Sequence, residues 1–302
     1  MKKDFLSIAD LTSKEILGIF EMAKKLKKEV KKGIFKKHLE NKALALVFEK
    51  QSLRTRISFE IGTRQLGGDA VYLDPRDTGI GVRESNADVA RILSGMTDMI
   101  AARTYDHQMI IDIAQSASVP VINALSDYEH PCQALTDLFT LWEIKGSLKD
   151  LKMSFVGDGE NNVTHSLCLG ATIVGMTFHC ASPNGYWMDL AITTKARQFG
   201  TVFETQNPIE AVSDADVVVT DTWISMGDSN KEERLKIFQK YQVNNTLMRY
   251  AKKDAVFMHC LPAYRGNEVS AQVIDGPQSV VFQEAENRLH VQKALMLFLL
   301  DC

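Results

Sequence analysis

The stretch "ALALVFEKQSLRTRISFE", Ala43 to Glu60, joins an apolar run to a polar break and then to the start of a helix. Ala43 to Phe48 has the length of a buried strand, and Ser52 is a good N-cap for the helix that follows. A strand passing directly into a helix is the repeating joint of an α/β protein with parallel sheets. The charge at this joint is unexpected. Arg54 and Arg56 fall in the first helical turns with Lys50 just before them, although a helix start carries partial positive charge and favours acids. Free backbone N–H groups, the hydroxyls of Ser52 and Thr55 and the fork of Arg54 together make an oxyanion site. On the residues alone a second reading stands beside it, in which the arginines pair with Glu49 and Glu60 on the surface.

The same joint recurs outward along the chain. "AVYL" (70–73), "MIAA" (99–102) and "VPVINA" (119–124) read as further strands of a first set. A second set follows in "LKMSFVG" (151–157), "TFHCA" (177–181), "DVVVT" (216–220), "AVFMHC" (255–260) and "SVVF" (279–282). Between the sets, "HPCQALTDLFTLWEIKG" has Pro131 at a helix start and Gly146 at its stop, with Ala134, Leu135, Leu138, Phe139 and Trp142 on one face. The fold class is therefore α/β in two domains, each a parallel β-sheet flanked by helices, with a C-terminal helix crossing back to the first domain. The expected layout is a first domain at 1–130 plus a helix at about 285–302, a connecting helix at 131–147 and a second domain at 148–284.

Composition excludes several function classes. The chain has 302 residues, 45% hydrophobic and 24% charged, with a formal net charge of -3, as in an ordinary soluble globular protein. Nucleic acid is not an expected partner. The densest basic run, "KKLKKEVKKG" from Lys24, lies in a segment opened by a capping box at Thr12–Glu15 and reads as the solvated face of an amphipathic helix. The N-terminus has no sustained apolar region, so neither a secretory signal nor a membrane span is expected. The five cysteines are odd in number and lack zinc spacing, which fits reduced thiols in a cytoplasmic protein. No metal is expected.

Polar clusters stand where strands end, and ligands of open α/β sheets bind beyond the carboxyl ends of strands. "ARTYDH" puts Arg103 past one strand; "SDYEHPCQ" puts His130 and Gln133 at the start of the connecting helix. "MHCLPAYRG" ends another strand with Cys260, Leu261 and Pro262, and "EAENRLH" offers Arg288. Each has a bland counterpart: a helix cap, a surface charge, a buried thiol, a helix ion pair. "FVGDGENNVTHSL" is a glycine-bearing turn, yet Glu160, Asn161 and Asn162 replace the small residues that a pyrophosphate needs. It suits a small polar ligand reaching Asn162. "DTWISMG" leaves a strand at Asp221 and runs through Ser225 and Met226 into a stretch with the composition of a lid, or of an ordinary surface loop.

Taken in order, "FEKQSLRTR", "ARTYDH", "HPCQAL", "GDGENNVTHS", "DTWISMG", "HCLPAYRG" and "ENRLH" resemble the aspartate/ornithine carbamoyltransferase family, on its ornithine-specific side. The resemblance implies a first domain for carbamoyl phosphate, a second for the amino acid, and transfer of the carbamoyl group to the side-chain amine of ornithine, giving citrulline and phosphate in arginine metabolism. It implies that Ser52, the backbone of Leu53, Arg54 and Thr55 hold the phosphate and that Arg103 bridges phosphate and carbonyl oxygen. His130 would bond that carbonyl, Gln133 the carbamoyl NH2, and Cys260, Leu261 and Arg288 would close the carbamoyl side, with a cis Leu261–Pro262 bond. Asp221 would pair with the α-amino group of ornithine, while Asn162, Ser225 and Met226 position its α-amino-acid end. Arg103, His130 and Cys260 are the implied catalytic residues, Cys260 orienting the amine rather than attacking. No cofactor is implied, since carbamoyl phosphate is already activated. A homotrimer, or a multiple of trimers, is implied, with the loop around Arg83 reaching a neighbouring copy.

Three positions depart from the family pattern. Leu53 stands for the first Thr of "STRTR", Gly79 stands where Gln is common, with Arg83 as a possible substitute, and Tyr264 replaces the His of "HCLPAH". The aspartate-specific branch reads "HPLP" and needs cations for a second carboxylate, whereas "HCLP" and "DTWISMG" supply a thiol and an acid. N-acylated ornithine or putrescine would leave Asp221 without its ammonium. The readings from other classes are a nucleotide-dependent oxidoreductase on the "GDGEN" turn and a catalytically silent sensor.

Overall fold

The computed structural model describes residues 2–74, 83–224 and 230–301, so the expectations placed on Gly79, Ser225 and Met226 lie outside the described residues. The chain divides into two compact units, 1–136 with 286–302 and 137–285.

The first unit holds a four-stranded parallel sheet in the order β2-β1-β3-β4, with β1 Ala43–Phe48, β2 Asp69–Leu73, β3 Met99–Arg103 and β4 Val121–Leu125. Its helices are α1 Ser13–Lys31, α2 Leu53–Gln65, α3 Asn86–Met96 and α4 His107–Ser116. The boundary between the units falls inside α5, Pro131–Lys145. The expected capping box opens α1: Thr12 accepts from the Glu15 N–H while the Glu15 carboxylate accepts from Thr12. Ile16, Ile19, Phe20, Ala23 and Leu26 of α1 are buried, roughly 1.5–3 kcal/mol for each large side chain. The lysine face is not wholly solvated, because Lys27 is buried and donates to Asn287. Between β1, β3 and α4 the core is Ala45, Val47, Ile100, Ala102, Met109, Ile110 and Ile113.

β1 leads to β2 on one side, while β3 lies on the other side of β1. That reversal is a topological switch point, where loops on the carboxyl side splay apart and leave a crevice. Phe48 lies opposite Arg103 in the β1–β3 register, so the loop after β1 and the arginine ending β3 leave the sheet together.

The second unit repeats the plan with five parallel strands in the order β7-β6-β5-β8-β9: β5 Lys152–Val156, β6 Thr177–Ala181, β7 Val202–Thr205, β8 Val217–Val219 and β9 Val256–Met258. Its helices are α6 Asn162–Ile173, α7 Leu190–Ala196, α8 Pro208–Val212, α9 Lys231–Phe238, α10 Asn245–Met248 and α11 Ala271–Ile274. The switch point here lies between β5 and β8. Phe155, Val219 and Met258 are aligned across the sheet. Two residues beyond each come Gly157, Asp221 and Cys260, which the strands therefore deliver to the same end.

One expected strand is absent and one observed strand was not expected. "SVVF" is no strand: Val280 bonds back to Phe257, and Val281 and Phe282 already begin α12, Val281–Leu299. β7 has no counterpart in the sequence reading, because "VFET" is a short edge strand without an apolar run. From Glu286 onward α12 belongs to the first unit and packs on α2, where a Cβ on Gly62 would stand 3.2 Å from Lys293 and 3.6 Å from Met296. No described helix is long and apolar enough to cross a membrane.

Candidate active site

In the first unit, Ser52 caps α2 by accepting the Thr55 N–H at 3.3 Å. The cap turns the first N–H groups of the helix outward and seats the Thr55 side chain inside, 1% exposed. Two arginines converge on its hydroxyl oxygen. Arg288 of α12 donates to Thr55 Oγ1 at 2.9 Å, and Arg103 at the end of β3 donates at 3.4 Å. Arg288 also donates to Gln133 Oε1 in the first turn of α5. His130, just before that helix, is 5% exposed. Its pKa lies well below the usual value, first because of burial and then because Arg288, Arg103 and Arg54 all repel a proton. The fold thus brings Thr55, Arg103, Gln133 and Arg288 together around a neutral imidazole. Leu53 is exposed, which leaves its side chain free to differ from the family's threonine.

Arg56 follows the other reading: it pairs with Glu60 at 2.8 Å and lies 3.9 Å over the Tyr72 ring. Glu49 takes no part in such a pair with it. Its carboxylate accepts the Tyr105 N–H at 2.8 Å. Arg83 is exposed at the start of the segment leading to α3.

In the second unit, Cys260 donates its thiol to Asp221 Oδ1 at 3.2 Å, and Asn161 donates its amide to Asp221 Oδ2 at 2.9 Å. Asn161 is the N-cap of α6 and Asn162 its first residue, so one short turn both starts the helix and holds the acid. The thiol pKa is raised well above its ordinary value by burial and then by the Asp221 charge, so the sulfur carries its proton. Sequence reasoning missed the support beneath this pair. The Leu261 N–H donates to His259 Nδ1 at 2.9 Å, which puts the ring proton on Nε2, facing Glu268 Oε1 at 3.3 Å. Glu268 also accepts the Tyr264 N–H. These contacts hold Leu261, with φ at 58° and its bond to Pro262 cis as the resemblance implies. The "H" of "HCLP" was visible, but Glu268 lies nine residues away with no periodic signal to mark it.

Asp221, His259 and Cys260 present possible ligand atoms within 4.8 Å of one another. Both nitrogens of His259 are already engaged, and a metal would have to displace the Leu261 N–H or Glu268. The glycine-bearing turn is likewise committed internally. A Cβ on Gly159 would stand 2.5 Å from the Tyr186 carbonyl oxygen and 2.9 Å from the Met188 nitrogen. That glycine serves packing of the chain on itself, whereas a dinucleotide fingerprint keeps its second glycine free for pyrophosphate.

Residues 3–143 match the model of the aspartate/ornithine carbamoyltransferase carbamoyl-P binding domain, and residues 149–299 match that of the Asp/Orn binding domain. The chain is 51% identical to the ornithine carbamoyltransferase of Carboxydothermus hydrogenoformans over 99% of its own length and 97% of that protein. It is 49% identical to the anabolic ornithine carbamoyltransferase of Pyrococcus furiosus, covering 97% of this chain and 95% of that one. A solved structure of ornithine carbamoyltransferase from P. furiosus superimposes with a TM-score of 0.95 at 48% identity, over 98% and 96% of the two chains. One from Thermus thermophilus gives 0.90 at 42% identity over 99% of both. The chain belongs to the aspartate/ornithine carbamoyltransferase family.

Proposed function

We propose that this protein is an ornithine carbamoyltransferase, moving the carbamoyl group of carbamoyl phosphate to the side-chain amine of L-ornithine. The observation that carries the reading is the convergence of Arg103 and Arg288 on Thr55 at the capped start of α2, beside a neutral His130. Buried guanidinium groups bonded to neutral oxygens are arranged for a dianion, and the helix N-terminus adds its own donors.

In this reading Ser52, the Leu53 backbone, Arg54 and Thr55 take the phosphate, and Arg103, Thr55 and His130 stabilise the oxyanion of the tetrahedral intermediate. Each such donor is worth roughly 3 kcal/mol. A neutral His130 donates one N–H to the carbonyl oxygen without adding a mobile proton. Gln133 and Arg288 fix the carbamoyl group, with Cys260 and the Leu261 carbonyl completing its contacts. Asp221 receives the α-ammonium of ornithine, and Asn162, Ser225 and Met226 receive the rest of its α-amino-acid end. The attacking amine must be neutral, although a free alkyl amine has a pKa of about 10.4. Its nitrogen bonds to the carbamoyl carbon, the C–O bond to phosphate breaks, and the amine proton leaves with the phosphate. Cys260, protonated and bonded to Asp221, orients the amine. No cofactor enters this balance.

We assign the reaction to arginine biosynthesis, the sense of the word anabolic in the P. furiosus relative's name, and place the enzyme in the cytoplasm as a homotrimer or a multiple of trimers. Sedimentation of a monomer at working concentration would remove the last assignment. Phosphate release from carbamoyl phosphate, with ornithine, acetylornithine, succinylornithine, putrescine or aspartate supplied in turn, tests the reaction itself. Preference for ornithine is expected. Turnover with another amine keeps the carbamoyl phosphate half and overturns the role given to Asp221, while no turnover with any amine favours a sensor.

A further inference from the structure

We infer that Glu49 is a positioning residue for carbamoyl phosphate, setting the distance between the two strand ends that carry its anion ligands. The inference rests on the carbamoyl phosphate reading of the first unit. Glu49 immediately follows β1, three residues before Ser52. Its backbone N–H donates to the Arg103 carbonyl at 2.8 Å, and its carboxylate accepts the Tyr105 N–H at 2.8 Å. One residue therefore grips the chain on both sides of Thr104, just where β3 has delivered Arg103. Its neighbour Lys50 sits 4.2 Å over the Tyr105 ring and holds the same residue from above.

The far side of that segment is fastened as well. Thr104 donates its N–H to the Leu125 carbonyl at 2.9 Å, and the Tyr105 carbonyl accepts from Asp127 at 3.1 Å. The exits of β1, β3 and β4 are thus laced together, and from them come Ser52 to Thr55, Arg103, and His130 with Gln133. Two side chains of the β1 exit join in this lacing, the Glu49 carboxylate through its hydrogen bond and Lys50 over the Tyr105 ring, and of the two Glu49 bonds the backbone itself.

Its charge makes the choice informative. A carboxylate beside a site for a dianion repels the ligand, so electrostatics alone disfavour Glu49 there. The tether outweighs that cost because a misplacement of Arg103 relative to Thr55 weakens every contact to the anion. Tether and charge make opposite demands on substitution. Glu49→Gln keeps the acceptor and removes the charge; Glu49→Asp keeps the charge and is one methylene too short; Glu49→Ala removes both.

Steady-state kinetics in both substrates, with calorimetric titration of inorganic phosphate and a thermal melt of each variant, test the inference. Glu49→Gln is expected to match the parent KM for carbamoyl phosphate or fall slightly below it. Glu49→Asp and Glu49→Ala are expected to raise it by about tenfold, the effect of one lost hydrogen bond, and to leave the KM for ornithine nearly unchanged. Parent-like carbamoyl phosphate and inorganic phosphate affinities in Glu49→Asp and Glu49→Ala overturn the inference, as does Glu49→Gln behaving like Glu49→Ala. So does an equal rise in both KM values with a lowered melt, the mark of general loosening. If the parent protein neither binds inorganic phosphate nor turns over carbamoyl phosphate, the reading of the site falls first and takes the inference with it.

Discussion

Thr55 carries more of this site than its size suggests, because two buried arginines donate to one hydroxyl oxygen. Replacing it with valine keeps the volume and takes one acceptor away from both arginines in a buried place. For Thr55→Val, kcat/KM for carbamoyl phosphate is expected to fall by about 100-fold, the usual loss of one oxyanion contact. A change under threefold in steady-state assays would remove Thr55 from the proposed machinery. Cys260 offers a second test at this scale. Burial and the Asp221 charge hold its thiol protonated, so alkylation by iodoacetamide at neutral pH is expected to be slow. Replacing Asp221 with Asn removes one of the raising causes, so the alkylation rate should increase; a slower rate in Asp221→Asn would contradict the field described. Of the proposed anchors, Arg103 and Cys260 could be picked out in the sequence because each stands at or just past a strand end, and Ser52 because it is a good cap, whereas Arg288 lies inside α12. The supports could not: Glu49, Asn161, His259 and Glu268 act through bonds to backbone or to another side chain, which periodicity does not encode.

Among the elements, the joints from strand to helix do the positioning. Gly157, Asp221 and Cys260 arrive at one end of the second sheet because β5, β8 and β9 are in register two residues earlier. The turn after β5 depends on Gly159, whose missing Cβ admits the 186–188 backbone. Gly159→Ala is expected to cost about 1–3 kcal/mol by overpacking and to raise the KM for ornithine, since Asn161 and Asn162 follow directly. Denaturant midpoints and the ornithine KM read both effects, and an unchanged protein would mean that the 186–188 segment yields freely. A strand of six apolar residues such as β1 could be read from sequence because both its faces are covered. β7 escaped as an edge strand with little apolar content. "SVVF" misled for the opposite reason, since its β-branched run enters the first turn of α12, where tertiary packing overrides local preference.

At the scale of the whole molecule, buried His290 and half-buried His179 weaken the fold in acid. His290 is pulled from 6.5 to about 3 by burial and by Lys293, Lys27 and Lys31. His179 is pulled from 6.5 to about 4 by burial and by Lys152. Between those values and 6.5 the unfolded chain takes up protons that the folded chain refuses, so stability declines as pH falls through that window. Above it their contribution is constant. Urea midpoints followed from neutral pH down to about 4 should fall steadily, and His290→Gln should flatten part of that slope. A midpoint that rises on acidification would contradict the burial described. The two-unit α/β plan was legible because strand and helix alternate throughout; the placement of Lys27 in the core against Asn287 was not, since a lysine-rich face reads as solvated.

The central claim is that carbamoyl phosphate gives its carbamoyl group to the side-chain nitrogen of ornithine. It is tested most directly by supplying carbamoyl phosphate labelled with carbon-13 together with ornithine, then following the label by NMR while phosphate is measured in parallel. The expected result is a ureido carbon on the side-chain nitrogen, as in citrulline, formed in equal amount with phosphate and absent when ornithine is withheld. Label on the α-nitrogen, or phosphate released without a carbamoylated product, would contradict it.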